Sequence, residues 1–377
     1  MKGKHGKEIK IKLIEKYPIY VPFKRVHKIS LGGSEGRKIL LIKIHTDQGI
    51  TGVGEALAHP AFSGEILEGL LAAIQYLEEF LIGRNALNIN ENLIMMDKIL
   101  YGNYGAKAAI EMALFDIMGK YFQTPLYNLL GGKLQDRFPV SRSISQSNLE
   151  DDLKDVGHYL EEGYNILKIK VGILSVEQDI ERVKAIRAMT GPGLSLRTDA
   201  NQSWDIPSAL KFIKEVEECK LTFIEQPIAR EDVDGLAYLK SKATTPILAD
   251  EAVSTEHDLL NIIEKKAADF ISLKVLKSGG IMKSRRIAAL AECAGIKCYL
   301  GSQVETSVGT SASLHFVISA NDFRYGGEIY GPVFFVEDVV KRSLKFDRGY
   351  IYPSDEPGLG VDLDMDKIKE FTCKTFY

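Results

Sequence analysis

Cysteine is scarce. The 377 residues hold four (Cys219, Cys293, Cys298 and Cys373), and no two form a CxxC pair. A disulfide framework is excluded, and a reducing, cytosolic setting is expected. Long hydrophobic runs are also missing. No stretch of 18 or more apolar residues is free of charge, so no membrane span is expected. The basic N-terminus, MKGKHGKEIKIK, has no apolar run behind it, so no signal peptide is expected. Nor is there an excess of one charge. Lys plus Arg number 48 and Asp plus Glu 51, a net charge of −3 that argues against nucleic acid as a partner. With 45% hydrophobic and 26% charged residues the chain is neither disordered nor collagen-like; it has the balance of an ordinary globular enzyme. Its length suggests two to three domains, or one large barrel with an extra layer.

What is present changes style along the chain. IKIKLIEKYPIYV predicts a strand ending in a Pro-bounded turn. RKILLIKIHTDQGITGVGEA predicts a hairpin turning at Asp47-Gln48-Gly49. Helical patterns follow at 63–83, 90–101 and 105–121, which makes an α+β unit. After LYNLLGGKL, short apolar runs alternate with amphipathic helices: PVSRSIS, ILKIKVG, LSLRTDAN, FIEQPI, PILADEA, FISLKV, KCYLGSQ and FRYGGEI. Their polar ends recur about every 25 residues, at Lys170, Asp199, Glu225, Asp250 and Lys274. A βα unit repeated eight times at this period closes a (β/α)8-type barrel. The tail carries a further hairpin-like segment, LKFDRGYIYPSDEPGLGVDLD, expected to leave the barrel and pack on the N-terminal unit.

In such a barrel the C-terminal strand ends form the active-site face. Lys168, Lys170, Asp199, Glu225, Asp250, Lys274 and Glu328 should therefore converge on one mouth. A lone carboxylate after a strand is ordinarily a helix cap. Three carboxylates in phase with the barrel repeat instead make an all-oxygen site, suited to a hard cation such as Mg²⁺, with Mn²⁺ as a substitute. An isolated KxK is ordinarily a solvated edge. On a barrel strand, Lys168 and Lys170 point the same way. Burial, the neighbouring lysine and the metal would all push Lys170 toward the neutral amine, a usable general base. Lys274 stands four strands further round. Two lysines on opposite sides of one carbon can remove a proton from one face and return it to the other. Removing a proton α to a carboxylate loads the carboxylate oxygens with charge, which a bound cation stabilises.

LKIKVG, LRTDANQSW, FIEQP, LADEA and ISLKV, in this order, resemble the muconate lactonizing enzyme subgroup of the enolase superfamily. The resemblance covers nearly the whole chain. It implies an α/β fold: a modified TIM barrel, (β/α)7β, at 129–330, an N-terminal α+β capping domain at 1–128, and a C-terminal segment, 331–377, returning to the cap. It also implies Asp199, Glu225 and Asp250 as metal ligands, Lys170 as the acid/base with Lys168 its electrostatic neighbour, and Lys274 as the sixth-strand lysine. The seventh-strand region reads GSQVETS, without the histidine base of mandelate-racemase-like members, which favours the two-lysine subgroup. Glu328 in YGGEIYG resembles the eighth-strand glutamate of muconate-type cycloisomerases. Dipeptide epimerases carry a DxD there, which this chain lacks. Two departures stand out: DEA where many relatives have DES, and Gln303 where an apolar residue, often Met, is common.

Residues 18–34 end in Gly-Gly and are expected to form a mobile lid. Tyr20, Lys24 and His27 there, with Arg25, could meet a distal carboxylate; so could Ser302, Gln303 and Glu305 after the seventh strand contact substrate. Tyr101 and Tyr104 could line the same mouth or simply pack. Trp204 is expected to be structural, and His59 and His315 are not expected to be ligands. The expected activity is that of a Mg²⁺-dependent isomerase of a small carboxylate, either a muconate-type cycloisomerase or a racemase or epimerase of amino-acid derivatives. A lyase on the same site (a sugar-acid or hydroxyproline-type dehydratase, or an o-succinylbenzoate-synthase-like enzyme) and a non-catalytic binding barrel are the alternatives. Relatives are usually oligomeric, so a homo-oligomer is expected.

Overall fold

A computed structural model describes residues 8–30, 32–145, 148–321 and 323–373. The chain begins with an antiparallel sheet, β1 (Ile11–Ile29), β2 (Gly32–Thr46) and β3 (Thr51–Ala58), in that spatial order. A short helix α1 (Pro60–Ser63) and three longer ones, α2 (Leu67–Leu81), α3 (Ile89–Ile99) and α4 (Tyr104–Phe122), follow, close to the predicted spans. The turn falls at Asp47–Gly49, as the sequence predicts, with Thr46 N–H donating to the Ile50 carbonyl at 3.1 Å.

The first strand does not stop at proline, and residues 18–34 are not a loop. β1 runs on through Pro18, paired with Leu40, and Pro22, paired with Gly36, and His27 still pairs with Ser34. Proline is tolerated because β1 is the edge of its sheet, where a missing N–H costs no ladder bond. The expected lid is thus a long hairpin. Its Ser30 hydroxyl donates to the main-chain carbonyls of Ala200 and Asn201, at 2.9 and 3.0 Å, on the barrel.

α4 is buried on nearly every side between this sheet and the barrel. Its Ala109 and Ala113 face Gly54 and Gly52 of β3. A Cβ at Gly54 would lie 1.9 Å from the Ala109 carbonyl, and one at Gly52 would lie 2.0 Å from that of Ala113. Gly54→Ala is therefore expected to lower stability by about 1–3 kcal/mol through overpacking. Gly69→Ala, on the exposed side of α2, should add up to about 1 kcal/mol through helix propensity. Paired denaturant titrations read both.

The second part is a parallel sheet of seven strands: β5 (Arg142–Ile144), β6 (Ile166–Lys170), β7 (Ser195–Asp199), β8 (Ile224–Glu225), β9 (Ile247–Ala249), β10 (Phe270–Leu273) and β11 (Lys297–Leu300). A short strand β4 (Phe138–Pro139) precedes them and belongs to a separate sheet. The predicted eighth strand, FRYGGEI, is reduced to one residue. Gly327 bridges both Val140 and Leu300 in parallel sense and so joins the two ends of the sheet. Here the main chains come close: a Cβ on Gly327 would lie 2.7 Å from the Leu300 carbonyl. The tail forms β12 (Lys345–Asp347) and β13 (Tyr350–Tyr352) against β4, then returns to pair Thr372 with Ile19.

Buried carboxylates join the two parts. Glu111 of α4 accepts from the Ile281 and Met282 N–H groups, the start of the barrel helix Ile281–Cys293. Glu55 of β3 accepts from the N–H and hydroxyl of Thr306, at 2.9 and 2.6 Å, and from Gly309 N–H at 2.8 Å. It thereby caps the helix Ser307–Ile318. Each satisfies N–H groups that a helix leaves unpaired at its start.

Candidate active site

The parallel register places the chemistry. Lys168 pairs with Arg197, Lys170 with Asp199, and Asp199 with Glu225, so one lysine and two carboxylates stand side by side at three adjoining strand ends. Asp250 and Lys274 immediately follow β9 and β10. All are buried. Lys170 Nζ donates to Asp199 Oδ2 at 2.6 Å, and Lys168 Nζ to Glu225 Oε2 at 2.8 Å. Lys274 Nζ donates to Asp250 Oδ2 at 2.6 Å. Glu328, next to the closing bridge, pairs with Lys168, accepts from the Ser143 hydroxyl at 2.6 Å and lies 3.9 Å from Lys170 Nζ.

Lys277 was not singled out in the sequence. Its ammonium donates to Asp250 Oδ1 at 2.7 Å and to the Asp250 and Ser272 carbonyls at 2.6 and 3.0 Å. One turn after Lys274, in LKVLKSGG, its only signal was a second lysine in a segment already carrying one.

The charges follow from these contacts. Burial works against the Lys170 ammonium, but Asp199 and Glu328 outweigh it and hold the ammonium well above the usual lysine range. The neutral amine is expected of the cation-bound site; among the protein's own charges, Lys168 does disfavour the ammonium, but it acts less strongly than the two carboxylates. Burial likewise lowers Lys274, and Asp250 more than restores it. Burial would raise Asp250 and Glu328, yet the facing lysines hold both well below the carboxylate range. Glu225 goes the other way. Burial, then Asp199, push it up to about 8 against the pull of Lys168, with Asp250 adding to the rise.

Among the described residues, no three His, Cys, Asp or Glu side chains are gathered at metal-binding distance; Asp199 and Asp250 face ammonium groups instead. The donor chemistry nonetheless fits a hard divalent cation. Three buried carboxylates occupy consecutive strand ends, and Glu225 is driven toward protonation by burial and then by its like-charged neighbours.

Above these residues lies a small cavity of about 40 Å³, lined by Lys170, Lys274, Glu328, Ser302, Gln303, His27 and His59 among others. It shares His27, Ile29, Arg37 and His59 with an outer cavity of about 450 Å³ beneath the β1–β2 hairpin, to which Tyr20 also contributes. His27 and Tyr20 thus reach the site. Lys24 does not: it donates to the Val333 carbonyl at 3.0 Å and lines a separate cleft with Arg25, itself paired to Asp155 at 2.7 Å. A register shift between Pro22 and His27 resets which side chains face inward. Glu305 also turns away, accepting from Gln303 N–H at 2.9 Å and from the Ser302 hydroxyl, so it braces its own loop. Tyr101 is 93% exposed. Trp204 packs on Phe212, and His315 accepts from Tyr127 N–H in the core.

His59 borders the cavity. It stacks on Phe62, whose ring lies 4.0 Å from Lys274 Nζ, and its Nδ1 has no hydrogen-bond partner. Burial, then Arg37 and Lys274, push His59 down to about 2; burial, then Lys170 and Arg37, bring His27 to about 3. Both rings are therefore neutral near pH 7. Arg37, not foreseen from the sequence, is buried and donates to the Gln303 carbonyl at 3.3 Å.

A cap over a parallel barrel with lysines and carboxylates at the strand ends defines an α/β-barrel enzyme of the enolising kind. Comparison with known proteins agrees. The mandelate racemase/muconate lactonizing enzyme N-terminal domain family matches residues 14–131, and the enolase C-terminal domain-like family matches 151–367. The N-succinyl-L-Arg/Lys racemase of Bacillus cereus is 35% identical over 97% of this chain and 98% of its own. The chloromuconate cycloisomerase of Cupriavidus pinatubonensis is 33% identical over 93% and 95%. A crystal structure of muconate lactonizing enzyme from Pseudomonas fluorescens, complexed with muconolactone, superposes with a TM-score of 0.95 at 31% identity, covering 97% of this chain and 100% of that one. The chain belongs to the mandelate racemase/muconate lactonizing enzyme family, in the muconate lactonizing subgroup of the enolase superfamily. Enzymes of this type use a divalent metal. No helix among the described residues is long and apolar enough to cross a membrane.

Proposed function

We propose that the protein is a Mg²⁺-dependent racemase or epimerase of amino-acid derivatives, moving the proton α to a carboxylate through an enediolate. One observation carries this reading: Lys170 and Lys274, from strands four apart, line one cavity. Asp199, Glu225 and Asp250 would hold the cation, Mg²⁺ with Mn²⁺ as a substitute, which when bound stabilises negative charge on the substrate carboxylate. Lys170 takes the proton from one face and Lys274 serves the other. Lys168, locked between Glu225 and Glu328, keeps a fixed positive charge beside them. A cation held by Asp199 would reduce the negative charge that carboxylate offers to Lys170 and so favour the neutral amine as base. Tyr20, His27, Ser302 and Gln303 border the substrate. In this reading 1–128 cap, 129–330 catalyse and 331–377 tie the two together, in a cytosolic homo-oligomer.

A muconate-type cycloisomerase is the second reading. It needs only Lys170 as acid, and the buried Glu328 held by Ser143 and Lys168 favours it. Incubation in D₂O with Mg²⁺ and a panel of N-acyl amino acids, dipeptides and muconates separates the two. Deuterium at the α-carbon of recovered amino-acid derivatives is expected. Chelation should slow it at least about 100-fold, because the cation contributes several kcal/mol to the charged intermediate. Lactone formation without exchange would favour the second reading instead.

A further inference from the structure

Gln303 is buried at the inner cavity, 4% exposed, and among the described residues neither its Oε1 nor its Nε2 has a hydrogen-bond partner. Its main chain is fully engaged: the N–H donates to Glu305 and the carbonyl accepts from Arg37. Only the side-chain amide is left over, on a residue that borders the cavity with Lys170, Lys274 and Glu328. Leaving both ends of a buried amide unpaired is costly, and such groups in native proteins ordinarily have a partner. Among the described residues, none makes a hydrogen bond to either end.

The two ends ask for different things. Nε2 donates and can pair with any oxygen. Oε1 only accepts, so the ligand must bring a donor close to the reacting carbon. A muconate-like dicarboxylate carries acceptors alone and would leave Oε1 buried and unpaired. An acylated α-amino acid carries an amide N–H one atom from the α-carbon. In an extended chain the N–H and C=O of one residue point the same way, so one carboxamide can pair with both, as a neighbouring strand does.

We infer that Gln303 is the specificity-determining residue that reads the amide N–H of the substrate, and that the substrate is an N-acyl α-amino acid or a peptide-like equivalent. This rests on the racemase reading.

The test compares N-acetyl and N-succinyl amino acids with their O-acyl α-hydroxy-acid esters, which lack only the N–H. α-Proton exchange in D₂O is followed with the full-length, Mg²⁺-loaded wild type and Gln303→Met. Dividing the amide-to-ester ratio of the wild type by that of the variant cancels the intrinsic acidity of the two substrates. That quotient is expected to be about 10–100, the scale of an unpaired buried acceptor. The ligand-free variant should melt no lower than wild type, because it loses two orphaned polar atoms; Gln303→Leu repeats the comparison if Met packs poorly. A quotient near one overturns the inference while leaving the racemase reading standing. Turnover of muconates with no exchange of any amide overturns both. Inactivity toward the whole panel overturns the proposed function, and this inference with it.

Discussion

Lys170→Ala is expected to lower turnover by about 10²–10⁴-fold, the usual worth of a positioned general acid or base. Loss of folding is the obvious confounder. Removing Lys170 takes away the partner of Asp199 at 2.6 Å, and an uncompensated buried charge is destabilising. Lys170→Arg separates the two effects. A guanidinium keeps the positive charge beside Asp199 and Glu328 but does not give up its proton near neutrality. Its melting temperature should stay closer to wild type than that of the alanine variant, while its turnover stays as low. An arginine variant retaining more than a tenth of wild-type turnover would remove Lys170 from the proton-transfer step.

Lys274→Ala should separate exchange from inversion. With Lys170 alone, a proton leaves one face and returns to the same face. Solvent deuterium then enters one enantiomer while racemisation falls by about 10²–10⁴-fold. The variant is well placed to fold, because Lys277 still faces Asp250 at 2.7 Å and keeps that carboxylate compensated. Chiral chromatography together with deuterium content, from each enantiomer in turn, reads the result. Unchanged inversion would end the two-base reading. Unchanged lactonisation of a muconate would place Lys274 outside the reaction altogether.

The barrel half of the site was legible in the sequence because strand ends recur with a fixed period. Lys170, Asp199, Glu225, Asp250 and Lys274 could be counted out before any fold was known. The cap half was not legible. His59 and Arg37 reach the cavity from β3 and β2 by long-range packing, which leaves no spacing to count. The β1–β2 hairpin was misread because proline ordinarily ends a strand, and only its place at a sheet edge makes it tolerable. The protein charges that act on Lys170 are non-local as well: Lys168 is two residues away, whereas Glu328, 158 residues later in the chain, helps decide the balance. Glu305 is expected to contact substrate, and what the structure shows is its carboxylate accepting from Ser302 and Gln303 of its own loop.

Glu55 and Glu111 also set a limit on how such a chain can be cut or recombined. Each sits in the cap and terminates a helix of the barrel. A barrel expressed alone would expose bare amide groups at the starts of two helices, and a cap expressed alone would carry two carboxylates on a surface shaped to bury them. Exchanging caps between relatives to graft new selectivity therefore requires both glutamates, with their receiving helices, to travel as matched pairs.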